Sequence, residues 1–150
     1  MRHHLHTEIE IDAPTAVVWD VLTDLDRYEE WNPFIVESSG TVAVGQRLTN
    51  RMQPPGGRAV TFTPTVTEVE PGRVFEWLGH LLVPGLFDGR HRFELHETVG
   101  GGTRLVHTEH FGGVLVRPFK RSLDRSTLAG FEALNDALRR RAEARVDHEG

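Results

Sequence analysis

Only one stretch of the sequence carries a long helical pattern, Pro118 to about Arg141 in PFKRSLDRSTLAGFEALNDALRRR. At about 3.6 residues per turn, Phe119, Leu123, Thr127, Gly130, Leu134, Ala137 and Leu138 share one stripe, with Arg121, Arg125, Glu132, Asp136, Arg139 and Glu143 opposite. A helix with a single apolar face must cover something. Nearly everything before it reads as β-strand, so the surface to be covered is a sheet. Two positions interrupt the stripe. Thr127 puts a hydroxyl on it, and Gly130 leaves a gap that costs about 1 kcal/mol against Ala in a helix interior. These interruptions predict a cavity between sheet and helix. Beyond Leu138 the stripe runs out and Arg141 falls back on its axis, so the tail RAEARVDHEG is expected to overhang the sheet and fray.

The chain ahead of this helix is a series of short elements. Leu5, Thr7, Ile9 and Ile11 alternate with His6, Glu8 and Glu10, the pattern of a half-buried strand. Asp12 suits a helix N-cap and Pro14 a first helical turn, giving a helix to about Thr23 that buries Val17, Val18, Val21 and Leu22. A second short helix spans Leu25 to Glu30 and ends at Trp31-Asn32-Pro33, since proline drives the residue before it out of the α region. Strands are then expected over 34–44, 47–53, 58–69, 74–80, 89–98 and 103–111, separated by Gly- and Pro-rich turns. Consecutive hairpins imply an antiparallel sheet, and with the helices an α+β fold.

Composition narrows the function classes. At 150 residues the chain fits one domain, 1–150, with a sizeable core. A net charge of −5 offers no electrostatic attraction for nucleic acid. The absence of cysteine excludes disulfides and thiolate chemistry. No apolar run approaches the roughly 20 residues of a membrane span, and MRHHLHTEIEID lacks the apolar core of a signal peptide, so the expected location is the cytoplasm. His3, His4 and His6 could capture a stray metal ion, but read better as part of the first strand.

The opening IDAPTAVVWDVLTDLDRYEEWNPF, the run FDGRHRFELHETVGGGTRLVHTEHFGG and the tail GFEALNDALRRR resemble the START-related helix-grip superfamily, the SRPBCC group, in its polyketide cyclase/dehydrase-like branch. The resemblance spans nearly the whole chain. It implies a curved seven-stranded antiparallel sheet gripping the C-terminal helix, with an apolar ligand cavity between them and residues around Trp31 at its mouth.

Strand register decides which side chains face the helix. An odd-length turn in the last hairpin sets Leu95 against Leu105, Phe93 against His107 and His91 against Glu109. It gathers the larger apolar residues, Phe111 included, on one face and sends Arg90, Arg92, Glu94, Arg104 and His110 to solvent. A two-residue turn would instead point His107 outward. The first register places two imidazoles and a carboxylate inside. Functionally, His107, Glu109 and His91 could orient a ligand oxygen or move a proton during cyclisation and dehydration of a poly-keto chain. The bland reading is a buried polar group that satisfies only itself. Two His and a carboxylate is a metal-ligand inventory, yet no HExxH spacing supports it, and neither a metal nor a cofactor is expected. No GxSxG elbow is present, and PPGG and VGGGTR are hairpin turns without a following helix.

Candidate cavity-lining residues are Trp31, Asn50, Met52, Phe62, Trp77, Phe87, Phe93, Phe111, Leu123, Thr127, Gly130 and Leu134; in the bland reading most of these are core. The loop LLVPGLFDG is too apolar for a solvated loop, which suits a gate over the cavity or a homodimer contact through 81–88. The leading expectation is a binding module for a small hydrophobic or aromatic, partly oxygenated ligand, lipids among them. The alternative is a cyclase/aromatase-like enzyme. A co-chaperone or stress-response regulator of the same superfamily is a third class.

Overall fold

The computed structural model describes residues 3–53, 55–80, 88–113 and 127–149, with side chains to 147. Strand β1 (His3–Ile11) is followed by α1 (Thr15–Thr23) and a 3₁₀ helix (Leu25–Glu30). Then come β2 (Ile35–Ser39), β3 (Thr49–Met52), β4 (Val60–Phe62), β5 (Thr65–Glu70), β6 (Val74–His80), β7 (Asp88–Glu97) and β8 (Thr103–Gly112), and last the helix α2 (Leu128–Glu149). Asp12 does not cap α1. Pro14 takes that position without a side-chain hydrogen bond, and the Asp12 amide donates to Glu143 Oε2 on α2 at 2.9 Å.

The strands form a five-stranded antiparallel sheet in the order β1-β8-β7-β6-β5 and a three-stranded one in the order β2-β3-β4. This corrects the expectation of one seven-stranded sheet. The strand expected over 58–69 is broken at Thr63–Pro64, where proline has no N–H to give to a ladder. The two sheets still meet there, through an Arg47–Thr65 bridge and the Leu48 amide donating to the Pro64 carbonyl at 2.8 Å. The strand expected over 34–44 ends early, at Ser39, beside Gly40 with φ +127°.

The last hairpin adopts the register with Leu95 opposite Leu105, Phe93 opposite His107 and His91 opposite Glu109, across a five-residue turn, 98–102. The outer face accordingly carries charge. Glu76 accepts from Arg90 at 2.8 Å, Arg92 at 2.9 Å and Thr67 at 2.9 Å. The inner face packs on α2 and α1, where Ile11, Val18, Leu22, Leu105, Phe131, Leu134 and Leu138 are buried.

Helix α2 departs from the expected stripe. Its buried positions are Gly130, Phe131, Leu134, Asn135, Leu138 and Ala142, whereas Ala137 is only half-buried. The expected start at Pro118, with Phe119 and Leu123, falls outside the described residues. Fraying after Leu138 is overturned. Ala142 is fully buried, Val146 packs on the core, and the helix runs to Glu149 because α1 and the 3₁₀ helix lie beneath it. Arg141 pairs with Glu30 at 2.7 Å and Arg145 with Asp20 at 3.7 Å.

Candidate functional site

Inward-facing positions follow from strand alternation. On β8 they are Thr103, Leu105, His107, Glu109 and Phe111; on β7 Gly89, His91, Phe93 and Leu95; on β6 Phe75, Trp77 and Gly79; on β1 Leu5, Thr7, Ile9 and Ile11. His91 and His107 are 0% exposed and Glu109 is 6% exposed, so all three lie away from bulk water.

These polar side chains form one connected line. His107 Nε2 contacts His91 Nε2. On its other side His107 Nδ1 lies 2.8 Å from Asn135 Oδ1 of α2. The Asn135 amide donates to Thr7 Oγ1 at 2.8 Å, and the Thr7 hydroxyl donates to the His107 carbonyl at 2.9 Å. At the opposite end His91 Nδ1 faces Glu109 Oε1 at 3.6 Å, too long for a hydrogen bond. Among the described residues His91 Nδ1 has no hydrogen-bond partner.

Rings enclose the imidazoles. His107 is stacked between Phe93 at 4.4 Å and Phe131 at 4.1 Å, and Trp77 stacks on His91 at 4.3 Å between centroids. This apolar cage disfavours charge. Burial pushes the Glu109 carboxyl up to about 8 and the His91 imidazole down to about 3. It drives His107 well below the ordinary imidazole range, aided by neighbouring His91 and opposed by the Asn135 hydrogen bond. At neutral pH the line is therefore uncharged throughout.

Beyond Trp77 and His91 the inward positions of β6 and β7 carry no side chains of their own. The next inward positions on β6 and β7 are Gly79 and Gly89, which pair with each other. A Cβ at 89 would collide with Glu109 Oε2, so Glu109 lies over Gly89 because no side chain is there. Among the described residues a Cβ at 79 meets only Pro64 Cβ within 4 Å, at 3.7 Å. The unpartnered His91 nitrogen and the Glu109 carboxyl thus border a stretch of sheet without side chains.

The other sequence-derived candidates fall in different places. Trp77, Phe93, Phe111 and Leu134 are buried on the inner face or on α2. Thr127 is half-buried, one residue ahead of α2. Gly130 does not face empty space, for a Cβ there would lie 2.5 Å from the Phe34 ring, which fills the gap. Asn50, Met52 and Phe62 belong to the three-stranded sheet, where Asn50 Oδ1 accepts from Ser38 Oγ at 2.6 Å. Trp31 packs edge-on against Tyr28 and borders an outward cleft of about 320 Å³ with Val21, Asp24, Arg27, Arg141 and Arg145. Phe87 and Leu123 lie outside the described residues, as do positions 81–87 of the expected gate or dimer contact. Sequence reasoning missed Asn135, Thr7, Phe131 and the two glycines. Thr7 had the inward parity on β1 and Asn135 sits four residues after Phe131, signals that a stripe centred on Phe131 would have read.

Among the described residues no group of three or more His, Cys, Asp or Glu is arranged to hold a metal ion, and no helix is long and apolar enough to cross a membrane. Residues 2–143 match the family model described as polyketide cyclase/dehydrase and lipid transport. The chain belongs to this family. No curated protein matches the chain. Among solved structures it is similar to the ZhuI aromatase/cyclase from Streptomyces sp. R1128, at 19% identity over 97% of this chain and 96% of that one, with a TM-score of 0.80. It is also similar to the di-domain aromatase/cyclase StfQ of the steffimycin biosynthetic pathway, at 16% identity and a TM-score of 0.79, covering 98% of this chain and 53% of that one. Ara h 8.0201 follows at 13% identity and a TM-score of 0.64, over 92% and 98% of the two chains. At these identities the solved structures establish the shared fold, and the family match establishes the helix-grip class.

Proposed function

We propose that the protein binds a small apolar or aromatic, partly oxygenated molecule at the glycine end of the inner sheet face, beside Gly79 and Gly89. The observation that carries this reading is the conjunction at Gly79 and Gly89: two adjacent inward positions without side chains, next to a buried nitrogen that has no partner among the described residues. Buried polar atoms are nearly always satisfied, so an orphan beside glycine positions on the sheet is a place for a ligand's polar group. Trp77 on the neighbouring strand supplies an aromatic wall.

A cyclase/aromatase-like activity is the second reading, favoured by the family match and by an acid beside a base. Glu109, holding its proton, would protonate a departing hydroxyl; His91, with a free lone pair, would take a proton beside a carbonyl. Both nitrogens of His107 are engaged, so in either reading it orients His91. The magnitudes favour binding. An imidazole held near 3 is a weak base, about four units below the value that suits proton abstraction at neutral pH.

Gly79→Val tests the site. Its Cβ fits without collision and its branched side chain suits a strand. Thermal shift against flavonoid-like aromatics, fatty acids and poly-keto fragments should show stabilisation of the wild type by at least one class and none in the variant. A wild type that responds to no class refutes the binding reading, and an equal response from Gly79→Val refutes the location.

A further inference from the structure

The line of hydrogen bonds behind the site has a direction, fixed at one end by a group that can only accept. The His107 carbonyl accepts the single proton of the Thr7 hydroxyl. Thr7 Oγ1 must then accept from Asn135, so the Asn135 NH₂ faces Thr7 and its oxygen faces His107. An oxygen at that position requires the proton of His107 to sit on Nδ1. His107 is neutral, so its Nε2 carries a lone pair and accepts from His91 Nε2–H. His91 is neutral as well, which leaves Nδ1 as a bare acceptor. The choice of tautomer at His91 is thus made two residues away, on α2 and β1.

What faces this acceptor is Glu109, 3.6 Å away and uncharged at neutral pH. A protonated carboxyl offers one O–H donor. A single atom can bridge the two groups if it donates one hydrogen bond and accepts another. A hydroxyl does both, and at a 3.6 Å separation one oxygen can stand within hydrogen-bond distance of each. An ether oxygen has no proton for His91. A carboxylate has none either, and would bring a charge among apolar rings where the described residues place no cation. An ammonium has no lone pair for the Glu109 O–H.

We propose, resting on the ligand-binding reading above, that the space beside Gly79 and Gly89 is a subsite for a neutral hydroxyl group — an enol, phenol or alcohol — that donates to His91 Nδ1 and accepts from Glu109, with Asn135 and Thr7 as positioning residues that set this preference from behind. The substrate class is then a hydroxylated or enolisable aromatic, discriminated from its methylated and carboxylated counterparts.

The test is calorimetric titration with three matched probes at near-neutral pH: β-naphthol, its methyl ether and the corresponding naphthoate. β-Naphthol should bind about tenfold more tightly than the ether, the difference made by one hydrogen bond to an otherwise unsatisfied group. Equal affinity for naphthol and ether overturns the hydroxyl subsite and leaves the ligand-binding reading standing. Tighter binding of naphthoate overturns the subsite in the same way. Failure of all three to bind overturns the subsite, and the thermal-shift screen decides the ligand-binding reading separately. Nitrogen NMR of the histidine side chains supplies a readout that does not depend on affinity. His91 should be protonated at Nε2 and bare at Nδ1, and its Nδ1 signal should move with naphthol and not with the ether; a His91 protonated at Nδ1 in the free protein sinks the proposal. Asn135→Leu, or Thr7→Val if that variant does not fold, should mix the His91 tautomers and bring the naphthol-to-ether ratio towards one while the ether affinity holds. A ratio unchanged in the folded variant removes Asn135 and Thr7 from the assignment.

Discussion

His91, His107 and Glu109 share one apolar enclosure, and each is held there in its uncharged form. Their effects on stability run in opposite directions with pH. Glu109 keeps in the folded protein a proton that the unfolded chain releases near its ordinary 4.5, so its contribution is complete below that value and is lost as pH rises through about 8. The two histidines are neutral in the fold but take up protons in the unfolded chain below about 6.5, so their contribution is complete above that value and is lost as pH falls. Between about 6.5 and 8 only Glu109 changes the balance, at about 1.4 kcal/mol per pH unit. Below 6.5 two histidines outweigh one carboxyl. The share of stability due to this group therefore peaks near pH 6.5. Urea unfolding of the wild type and of Glu109→Gln should show a falling alkaline limb in the wild type that the variant lacks; parallel curves above pH 6.5 would contradict a buried, protonated Glu109.

At the scale of elements, the contact between α2 and the chain after the 3₁₀ helix turns on Gly130. A glycine in a helix interior ordinarily gains about 1 kcal/mol from replacement by alanine. Here the added methyl would sit 2.5 Å from Cδ1 and Cε1 of Phe34, whose ring also meets Phe131 edge-on. Overpacking against a buried ring costs about 1–3 kcal/mol, which exceeds the propensity gain. Gly130→Ala should thus lower the urea midpoint, and a raised midpoint would show that Phe34 moves aside freely. In the sequence Gly130 is visible as a gap but reads as empty space, because the ring that fills it comes from a residue 96 positions earlier. Helix periodicity reports that a position is special and is silent about what lies across from it. The expected stripe starts from Phe119, and twelve residues on, the accumulated rotation at about 100° per residue is about 120° away from Phe131, the side chain that centres the buried face. The hairpin register is legible for the opposite reason. A slip by one residue would turn Arg90, Arg92 and Arg104 into the core, and nothing else in the hairpin could offset that cost. The inward placement of His91, His107 and Glu109 follows from it. The direction of their hydrogen bonds does not, since it depends on Asn135 and Thr7, which are 128 positions apart.

Across the whole molecule, α2 is the element that ties the separate pieces together. Asn135 joins it to β8 and β1, Phe131 and Gly130 to Phe34, and Glu143 to the Asp12 amide at the end of β1. Its last two turns rest on α1 and the 3₁₀ helix through fully buried Ala142, half-buried Val146, and the pairs of Arg141 with Glu30 and Arg145 with Asp20. The two arginine pairs are exposed and add little. The apolar contacts and the Glu143 bond to a backbone amide stabilise this end of the helix more. A chain ending after Arg141 loses them both, for about 2–3 kcal/mol of stability from the area uncovered and the hydrogen bond lost. If the tail frayed, as its charged sequence suggests, the same truncation would be neutral. The position of the cut separates folding from function as well, because none of the described contacts of the removed residues is with His91, Glu109 or the glycine pair. The truncated protein should therefore unfold at lower urea and yet, while folded, keep the wild-type affinity for β-naphthol. Loss of affinity in a truncated chain that is still folded would mean that the far end of α2 governs the site through the helix itself.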